Sequence, residues 1–299
     1  MPTPTPCFWY NTDARAAFDT YAEAFSGAND ARGEGPRCSV TADNGFSLEL
    51  TLGATTVAGL NGDDGPRPNE TLSAYVELPT VQDVEHAYAK LNTAGARLLM
   101  ELAESPYSPA YAWLADRWGV NWQLTCTPNR PASISPALFF PGKLTGRAEP
   151  AMAAYGKLFS PSEVLLLDYH PEAAGGKDTG VMHAQQRLSE GKLIYGEFAG
   201  GHAAAFSEAG SLVVKCDTQA EIDRLWKGLT AGGGKPGRQG WLTDRFGASW
   251  QIIPRELHDW MSNPRTAKKV GQRLQEMSKL DIARLDPGEG RGLKDLRLG

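Results

Sequence analysis

The sequence predicts an α+β protein made of two tandem halves, each with two strand–helix units, and a helix after the second half. Two observations predict this class. The phrase WLADRWGVNWQL at 113–124 returns as WLTDRFGASWQI at 241–252, an offset of 241 − 113 = 128 residues. Such an offset is typical of a duplicated domain and is too long for a solenoid repeat. In both halves, amphipathic helical stretches also alternate with strand-like segments.

The first half is predicted to cover residues 7–127. It begins with CFWYNTDARAAFDTYAEAF, an aromatic strand followed by apolar residues at helical spacing. FSLELTLG and TTVAGLNG then resemble paired strands. LSAYVELPTVQDVEHAYAKLNTAG is predicted to be a second strand and helix, closed by Gly95. The repeated phrase ends the half as a hairpin whose turn is Asp-Arg-Trp-Gly.

The second half is predicted to cover residues 137–254, after a Pro- and Ser-rich linker at 128–136. It repeats the order of elements, but its last unit is shorter. From the helix-ending glycine to the repeated tryptophan there are 113 − 95 = 18 residues in the first half and 241 − 233 = 8 in the second. About one strand and its turn are missing. This region is either an entrance or a surface on which the C-terminal helix or another subunit docks.

Residues 255–285 are predicted to form a helical extension, and residues 286–299 a mobile tail. Asn263 and Pro264 suit the start of a helix, and RTAKKVGQRLQEMSKLDIARL is predicted to continue it. Ala267, Val270 and Leu274 fall on one stripe, so the helix is expected to dock on the preceding domain. The last stretch is rich in glycine and charge, which is typical of a disordered terminus.

Composition excludes several classes of protein. A net charge of −5 and a pI near 5.6 argue against nucleic-acid binding, which needs a basic surface. No apolar run approaches the length of a membrane helix, and the N-terminus does not resemble a secretion signal. The four cysteines are scattered, which favours reduced thiols and a cytoplasmic location over a disulfide or zinc framework.

Four strand–helix units, with each half ending in D-R-[FW]-G-x-x-W-Q-[IL], resemble the vicinal-oxygen-chelate superfamily, which includes glyoxalase and bleomycin-resistance proteins. Within it, GVMHAQQRLSEGKLIYGE and GWLTDRFGASWQI resemble the PhnB-like branch, often labelled 3-demethylubiquinone-9 3-methyltransferase-like. The resemblance implies paired βαβββ units that curl into a cup for a small molecule. Each half is expected to pair its own two units. Methyl transfer is not expected, because no G-x-G-x-x-G loop follows a strand.

The resemblance also implies a divalent metal held by His and Glu from the first and last strands, but this sequence departs from that pattern. The first strands offer Phe8, Trp9 and Tyr10, and then Leu138, Phe139 and Phe140. Where the last strand would supply a glutamate, both halves have a glutamine, Gln123 and Gln251. A glutamine carbonyl is a weak, uncharged ligand. No cofactor is therefore expected, and a divalent metal is the alternative.

Seven residues are candidates for ligand binding in an aromatic, metal-free cup. The glutamines would supply polar contacts, aromatic side chains would stack on the ligand, and Arg187 would bind an anion. The set is Gln123, Gln251, Trp122, Trp250, Tyr10, Phe139 and Arg187. Each also has a purely structural interpretation, as a core aromatic or a strand residue. Catalysis, the alternative, is assigned to His183 and Glu197, on neighbouring predicted strands with Tyr195.

The sequence thus predicts a protein that binds a small organic molecule. A first alternative is a metal-dependent lyase, isomerase or dioxygenase with unusual ligands. A second is a regulatory or scaffold protein that uses its modules as interfaces. Neither nucleic acid nor membrane is an expected partner, and a homodimer remains open.

Overall fold

The computed structural model describes residues 2–27, 38–171, 180–198 and 204–288. Within these ranges the chain forms two eight-stranded sheets, with helices packed on one face of each sheet. The strands are β1 (Thr5–Asn11), β2 (Ser39–Asp43), β3 (Ser47–Leu52), β4 (Thr55–Gly62), β5 (Leu72–Leu78), β6 (Arg97–Ser105), β7 (Ser108–Ala115), β8 (Asn121–Cys126), β9 (Ser133–Pro141), β10 (Ser162–Tyr169), β11 (Val181–Leu188), β12 (Gly191–Phe198), β13 (Gly210–Cys216), β14 (Lys235–Pro236), β15 (Trp241–Thr243) and β16 (Ser249–Pro254). The helices are α1 (Ala14–Ala24), α2 (Val81–Leu91), α3 (Ala148–Leu158), α4 (Gln219–Thr230), α5 (Leu257–Ser262), α6 (Ala267–Gln275) and α7 (Ile282–Leu285).

Each sheet joins one βαβββ unit from each half of the chain. Sheet I has the order β14-β15-β16-β13-β1-β4-β3-β2, and sheet II has the order β10-β11-β12-β9-β5-β8-β7-β6. The α+β class is confirmed, but the prediction that each half pairs its own two units is wrong. The connection explains the difference. Only residues 127–132 separate β8 from β9, and β9 enters sheet II beside β5 from its first residue, Ser133.

The helices cover one face of each sheet and create the main core. α1 and α2 come from the first half of the chain, α3 and α4 come from the second, and all four contribute side chains to this core. Thr218 caps α4 through a capping box with Glu221, because the threonine oxygen accepts the Glu221 N–H while the glutamate binds the cap backbone. The opposite face of each sheet carries none of these four helices, and we call it the helix-free face. Any cup must lie on that second face.

Two edge strands were missed by the sequence prediction. β2 pairs with β3 at one edge of sheet I, and β10 pairs with β11 at one edge of sheet II. Both are largely solvent-exposed, and Val164 in β10 is 50% exposed. An edge strand with little buried surface lacks the apolar alternation by which strands are recognised.

The predicted helical extension after the second half is present, but it forms three short helices, so the prediction of one continuous helix through residue 285 is wrong. It docks on the shortened last unit, where the N–H of Gln239 donates to the carbonyl of Met277 at 2.7 Å and that of Gly240 to the carbonyl of Ser278 at 2.7 Å. These backbone bonds interrupt the helix between α6 and α7. Of the two interpretations of the shortened region, docking of the extension is the one observed. Residues 289–299 of the predicted tail lie outside the described residues.

All four cysteines are free thiols, as predicted. Three of them, Cys7, Cys126 and Cys216, are buried. Among the described residues, no helix has the length and apolar character that crossing a membrane requires. The cytoplasmic location stays a prediction.

Candidate functional site

The aspartate of the repeated phrase is a buried acceptor that joins a hairpin to a helix. Asp116 accepts the backbone N–H groups of Trp118 at 2.9 Å and Val120 at 3.0 Å, which closes the turn. Its second oxygen accepts the Tyr21 hydroxyl of α1 at 2.6 Å and Nε1 of Trp122 at 2.9 Å. Burial raises the pKa of the Asp116 carboxyl, and the four donors oppose that rise. Asp116 therefore closes the turn, as predicted, and also links the hairpin to α1 in the core.

The second copy of the phrase repeats this arrangement. Asp244 accepts the Tyr155 hydroxyl of α3 at 2.5 Å and Nε1 of Trp250 at 2.8 Å, together with two backbone N–H groups of its turn. Gly119 and Gly247 close the two turns with φ of +89° and +95°, where a Cβ atom would be strained. The phrase recurs because both halves need the same link between hairpin and helix.

Three predicted ligand-binding aromatics lie in the core, so their assignment to a cup is wrong. Trp122 and Trp250 are 0% exposed, and Tyr10 is 1% exposed. The Trp122 ring lies 4.6 Å from Tyr21, and the Trp250 ring lies 5.2 Å from Tyr155. Neighbouring strand residues face opposite sides of a sheet, so a tryptophan that faces the helices leaves the following glutamine on the other side.

The two glutamines of the phrase do lie on the helix-free faces. Gln251 donates through Nε2 to Oγ of Ser211 at 2.8 Å, and Gln123 donates to Oγ of Ser73 at 2.7 Å. Phe139 lies on the same face of sheet II as Gln123, edge-on to the Trp113 ring at 5.2 Å. These residues keep the orientation that the sequence predicted for them.

The predicted cluster of His183 and Glu197 does not form. β11 and β12 pair Gln185 with Ile194, so His183 and Gln185 share the helix-free face while Tyr195 and Glu197 face the helices. The Glu197 carboxylate accepts two backbone N–H groups, one of them from Ala148 at the start of α3, at 2.7 Å. Glu197 is therefore a structural residue.

Arg187 lies at the rim of sheet II, away from both glutamines. Its side chain is 54% exposed and pairs with Glu163 of the edge strand at 2.9 Å. An exposed pair of this kind contributes little to stability. Arg187 is therefore paired at the surface, as a rim residue of sheet II.

A cavity of about 970 Å³ lies over the helix-free face of sheet I. We call it cup I; its floor and walls include Cys7, Trp9, Glu49, Val213, Lys215 and Gln251. Lys215 of β13 forms an ion pair with Glu49 of β3, although β1 and β4 lie between their strands. Side chains can meet over two intervening strands only if the sheet is strongly curved. Cup I is thus a concave, mainly apolar site with a paired charge at its base.

The corresponding face of sheet II, cup II, is filled by its own side chains. Tyr75 is 4% exposed, and the His183 ring lies 5.8 Å from the Tyr75 ring and 5.1 Å from the Tyr107 ring. The Tyr111 hydroxyl donates to Oε1 of Gln123 at 2.8 Å. Three phenol rings and an imidazole thus occupy this cup.

Cup I has smaller or polar residues at the equivalent positions. Val213 pairs with Gln251 just as Tyr75 pairs with Gln123, so a valine replaces one phenol ring. Gln239 stands two residues before Trp241, as Tyr111 stands two residues before Trp113. On β3, Ser47 is equivalent to His183 of β11, so a hydroxyl replaces the imidazole. The hairpin that carries Tyr107 belongs to the segment missing from the second half. The cavity follows from these four losses.

The C-terminal extension covers one side of cup I. Leu257 and His258 of α5, with Met261 and Leu274, line the cavity. Nδ1 of His258 lies 3.1 Å from Oγ of Ser47 on β3, a hydrogen bond between residues 211 positions apart. The extension leaves sheet I at β16 and reaches strand β3 of the other unit. It therefore spans the mouth of the cup.

The donors in cup I do not fit a metal ion. Burial raises the pKa of the Cys7 thiol to about 12, so the free thiol is protonated near neutral pH. Gln251 and Ser211 are neutral and bonded to each other, and Glu49 is paired with Lys215. Within the described ranges, no group of three or more His, Cys, Asp or Glu side chains could hold a metal. The expectation that no cofactor is needed stays a prediction.

Sequence reasoning missed several residues of cup I. Cys7 and Trp9 share the helix-free face of β1, whereas the neighbouring Phe8 and Tyr10 belong to the core. Lys215 could have been noticed as the one charge within the apolar strand segment SLVVKC. His258 carries no signal of this kind, because its position depends on how the extension folds back.

His183 makes stability depend on pH. Burial, and next the charge of Lys192, lower the pKa of His183 to about 4 from 6.5. Between pH 4 and pH 6.5 the unfolded chain therefore binds a proton at this imidazole that the folded chain does not bind. The contribution of His183 to stability is complete above pH 6.5 and is lost as the pH falls towards 4. We expect a loss of about 2 kcal/mol between pH 7.5 and pH 5 from this residue. Urea unfolding at both pH values measures it.

The matched variants for this prediction are His183→Gln and His86→Gln. Removing His183 should flatten the pH dependence by about the same 2 kcal/mol. His86 lies exposed on α2, so its replacement should leave the dependence unchanged. An unaltered pH profile in His183→Gln would show that the imidazole is protonated equally in both states.

The fold of this chain is similar to that of a solved structure that matches most of its length. Glyoxalase I from Zea mays is similar in fold, with a TM-score of 0.55 over 85% of this chain and 93% of that chain, at 14% identity. A PhnB protein from Bacillus cereus is 24% identical over 41% of this chain and 98% of that chain, with a TM-score of 0.31. A search of curated proteins finds no match.

One family model matches the chain twice. Described as 3-demethylubiquinone-9 3-methyltransferase, it covers residues 2–125 and again residues 132–253. The two matches include all four βαβββ units of sheets I and II. The chain therefore belongs to the 3-demethylubiquinone-9 3-methyltransferase family, with two modules whose fold is similar to that of glyoxalase I.

Proposed function

We propose that the protein binds a small, flat, mainly apolar organic molecule in cup I. The observation that carries this proposal is the contrast between the cups. The same sheet face is filled by Tyr75, Tyr107, Tyr111 and His183 in cup II and is open over about 970 Å³ in cup I. Ligand pockets in proteins are concave, mostly apolar and of this order of size.

The wall chemistry of cup I supports a ring-shaped ligand. Trp9 and Trp241 line the cavity and pack against an apolar cluster that includes Cys7, Leu60 and Val213. Apolar surface removed from water contributes about 25 cal/mol per Å², and aromatic faces add a stacking preference. Polar contacts at the base are few, so most of the affinity would come from burial of the ring.

The proposal is tested by filling cup I with the side chain that fills cup II. Val213→Tyr places a phenol ring where Tyr75 lies in the other cup, and we expect the affinity for 2-fluoronaphthalene to fall at least about tenfold. Fluorine NMR titration of the probe measures its dissociation constant. Thermal unfolding verifies that the variant is folded.

Val164→Tyr is the control, because Val164 is 50% exposed on the edge strand of sheet II. This change should leave probe binding as in the parent protein. Failure of the parent protein to bind the probe, or equal affinity in Val213→Tyr, would contradict a ligand site in cup I.

A further inference from the structure

Cup II shows which group the base of the cup is built to bind. There the Tyr111 hydroxyl donates to Oε1 of Gln123 at 2.8 Å, while Nε2 of the same amide donates to Ser73 at 2.7 Å. The serine fixes the direction of the amide, and its carbonyl oxygen points at a phenol. The chain thus supplies its own aromatic hydroxyl to this acceptor.

Cup I keeps the acceptor and lacks the phenol. Nε2 of Gln251 donates to Ser211 at 2.8 Å, which orients the amide as in cup II. Gln239 stands at the position equivalent to Tyr111. Its backbone has a φ of +57°, and its N–H donates to the carbonyl of Met277 in the C-terminal extension. The Gln251 amide also contacts the Cys7 thiol, but the sulfur is the acceptor in that contact, so the thiol does not replace the phenol as a donor. A donor from a ligand would complete the pattern.

The charges at the base favour an uncharged donor. Lys215 and Glu49 are paired with each other and have side-chain exposures of only 31% and 18%. A charged ligand group placed beside this pair at the base would have to break it or stay buried there without a partner, and burial of an unpaired charge is costly. A neutral hydroxyl leaves the ion pair intact and buries no charge, because one good acceptor is enough for it.

From these contacts we propose that cup I takes a molecule of the phenol class, with its ring between Trp9 and Trp241 and its hydroxyl donating to Oε1 of Gln251. This inference rests on the proposed function and adds the chemical class of the ligand. It makes Gln251 the residue that distinguishes a hydroxylated ring from a plain one. The ligand then occupies the place that the Tyr111 side chain occupies in cup II.

The test compares 2-naphthol with 2-fluoronaphthalene, which has a similar shape and no donor. We expect 2-naphthol to bind the full-length protein about tenfold more tightly, since one neutral hydrogen bond contributes roughly that factor. In Gln251→Leu the two dissociation constants should become equal, while that of 2-fluoronaphthalene changes little. Calorimetric titration and fluorine NMR measure them.

Gln123→Leu is the matched control, because the same substitution in cup II should preserve the tenfold preference. Gln251→Met keeps nearly the length of the side chain and removes the acceptor oxygen, so it should also abolish the preference, which covers the case in which Gln251→Leu does not fold. Equal binding of the two probes by the parent protein would overturn the phenol assignment and leave a ring-binding cup. Absence of binding by both would overturn the proposed function itself.

Discussion

Replacing Asp244 by alanine is expected to lower the free energy of unfolding by about 4 kcal/mol. The carboxylate is buried and accepts four donors: the Tyr155 hydroxyl, Nε1 of Trp250 and two backbone N–H groups. Each buried donor left without a partner costs about 1–3 kcal/mol, partly relieved if water enters. Chemical denaturation with a global fit of the transition gives the value.

Asp116→Ala is the internal replicate, since the same four kinds of donor converge on it in the other half. Its expected loss is of the same size. Arg245→Ala is the control, because Arg245 is exposed beside Asp244 and should change stability by less than about 0.5 kcal/mol. A loss below about 1 kcal/mol in both aspartate variants would show that the carboxylates are turn caps without a role in the core.

Leu280→Ala is expected to loosen the C-terminal extension and to cost about 3 kcal/mol. Leu280 is 0% exposed in a cluster with Val270, Met277 and Leu285, and its side chain lies against Gly240. A buried leucine that is shortened to alanine loses its transfer energy and leaves a cavity. Hydrogen exchange at Gly240 measures the effect, because that N–H is held by the extension.

The amides of Gln239 and Gly240 should exchange at least about tenfold faster in Leu280→Ala, whereas amides at the centre of sheet II should exchange as before. Met100→Ala serves as the control, since Met100 is 50% exposed on β6. If exchange at Gly240 stays at the parent rate, the extension is held by other contacts, such as the ion pair of Lys279 with Asp223. The covering of cup I would then not depend on this cluster.

Each cup is built from units of both halves of the duplicated chain. Cup I combines the first unit with the fourth, and cup II combines the second with the third. Each cup therefore contains one glutamine of the repeated phrase, Gln251 or Gln123, beside residues from the other half. A substitution in either half can alter one cup while the other remains as an internal comparison.

Local patterns in the sequence determined the repeated units and the opposite orientations of each tryptophan and the glutamine that follows it, but not that the tryptophans face the helices. Strand alternation decides which face a residue occupies, so Trp250 and Gln251 had to point in opposite directions. The turn at Asp244 and Gly247 also follows from local chemistry, because the carboxylate and a positive φ act within a few residues. These properties depend on neighbours along the chain.

Only the tertiary structure decided which units share a sheet, which cup is open, and where His183, Glu197 and His258 lie. The pairing of β1 with β13, which joins Thr5 to Val213 over 213 − 5 = 208 positions, accompanies the short connection between β8 and β9, and periodicity describes neither. The open cup depends on volumes: Val213 and Ser47 leave the space that Tyr75 and His183 fill in the other cup. Packing volume and long-range pairing are properties of the folded chain, and the candidate site follows from both.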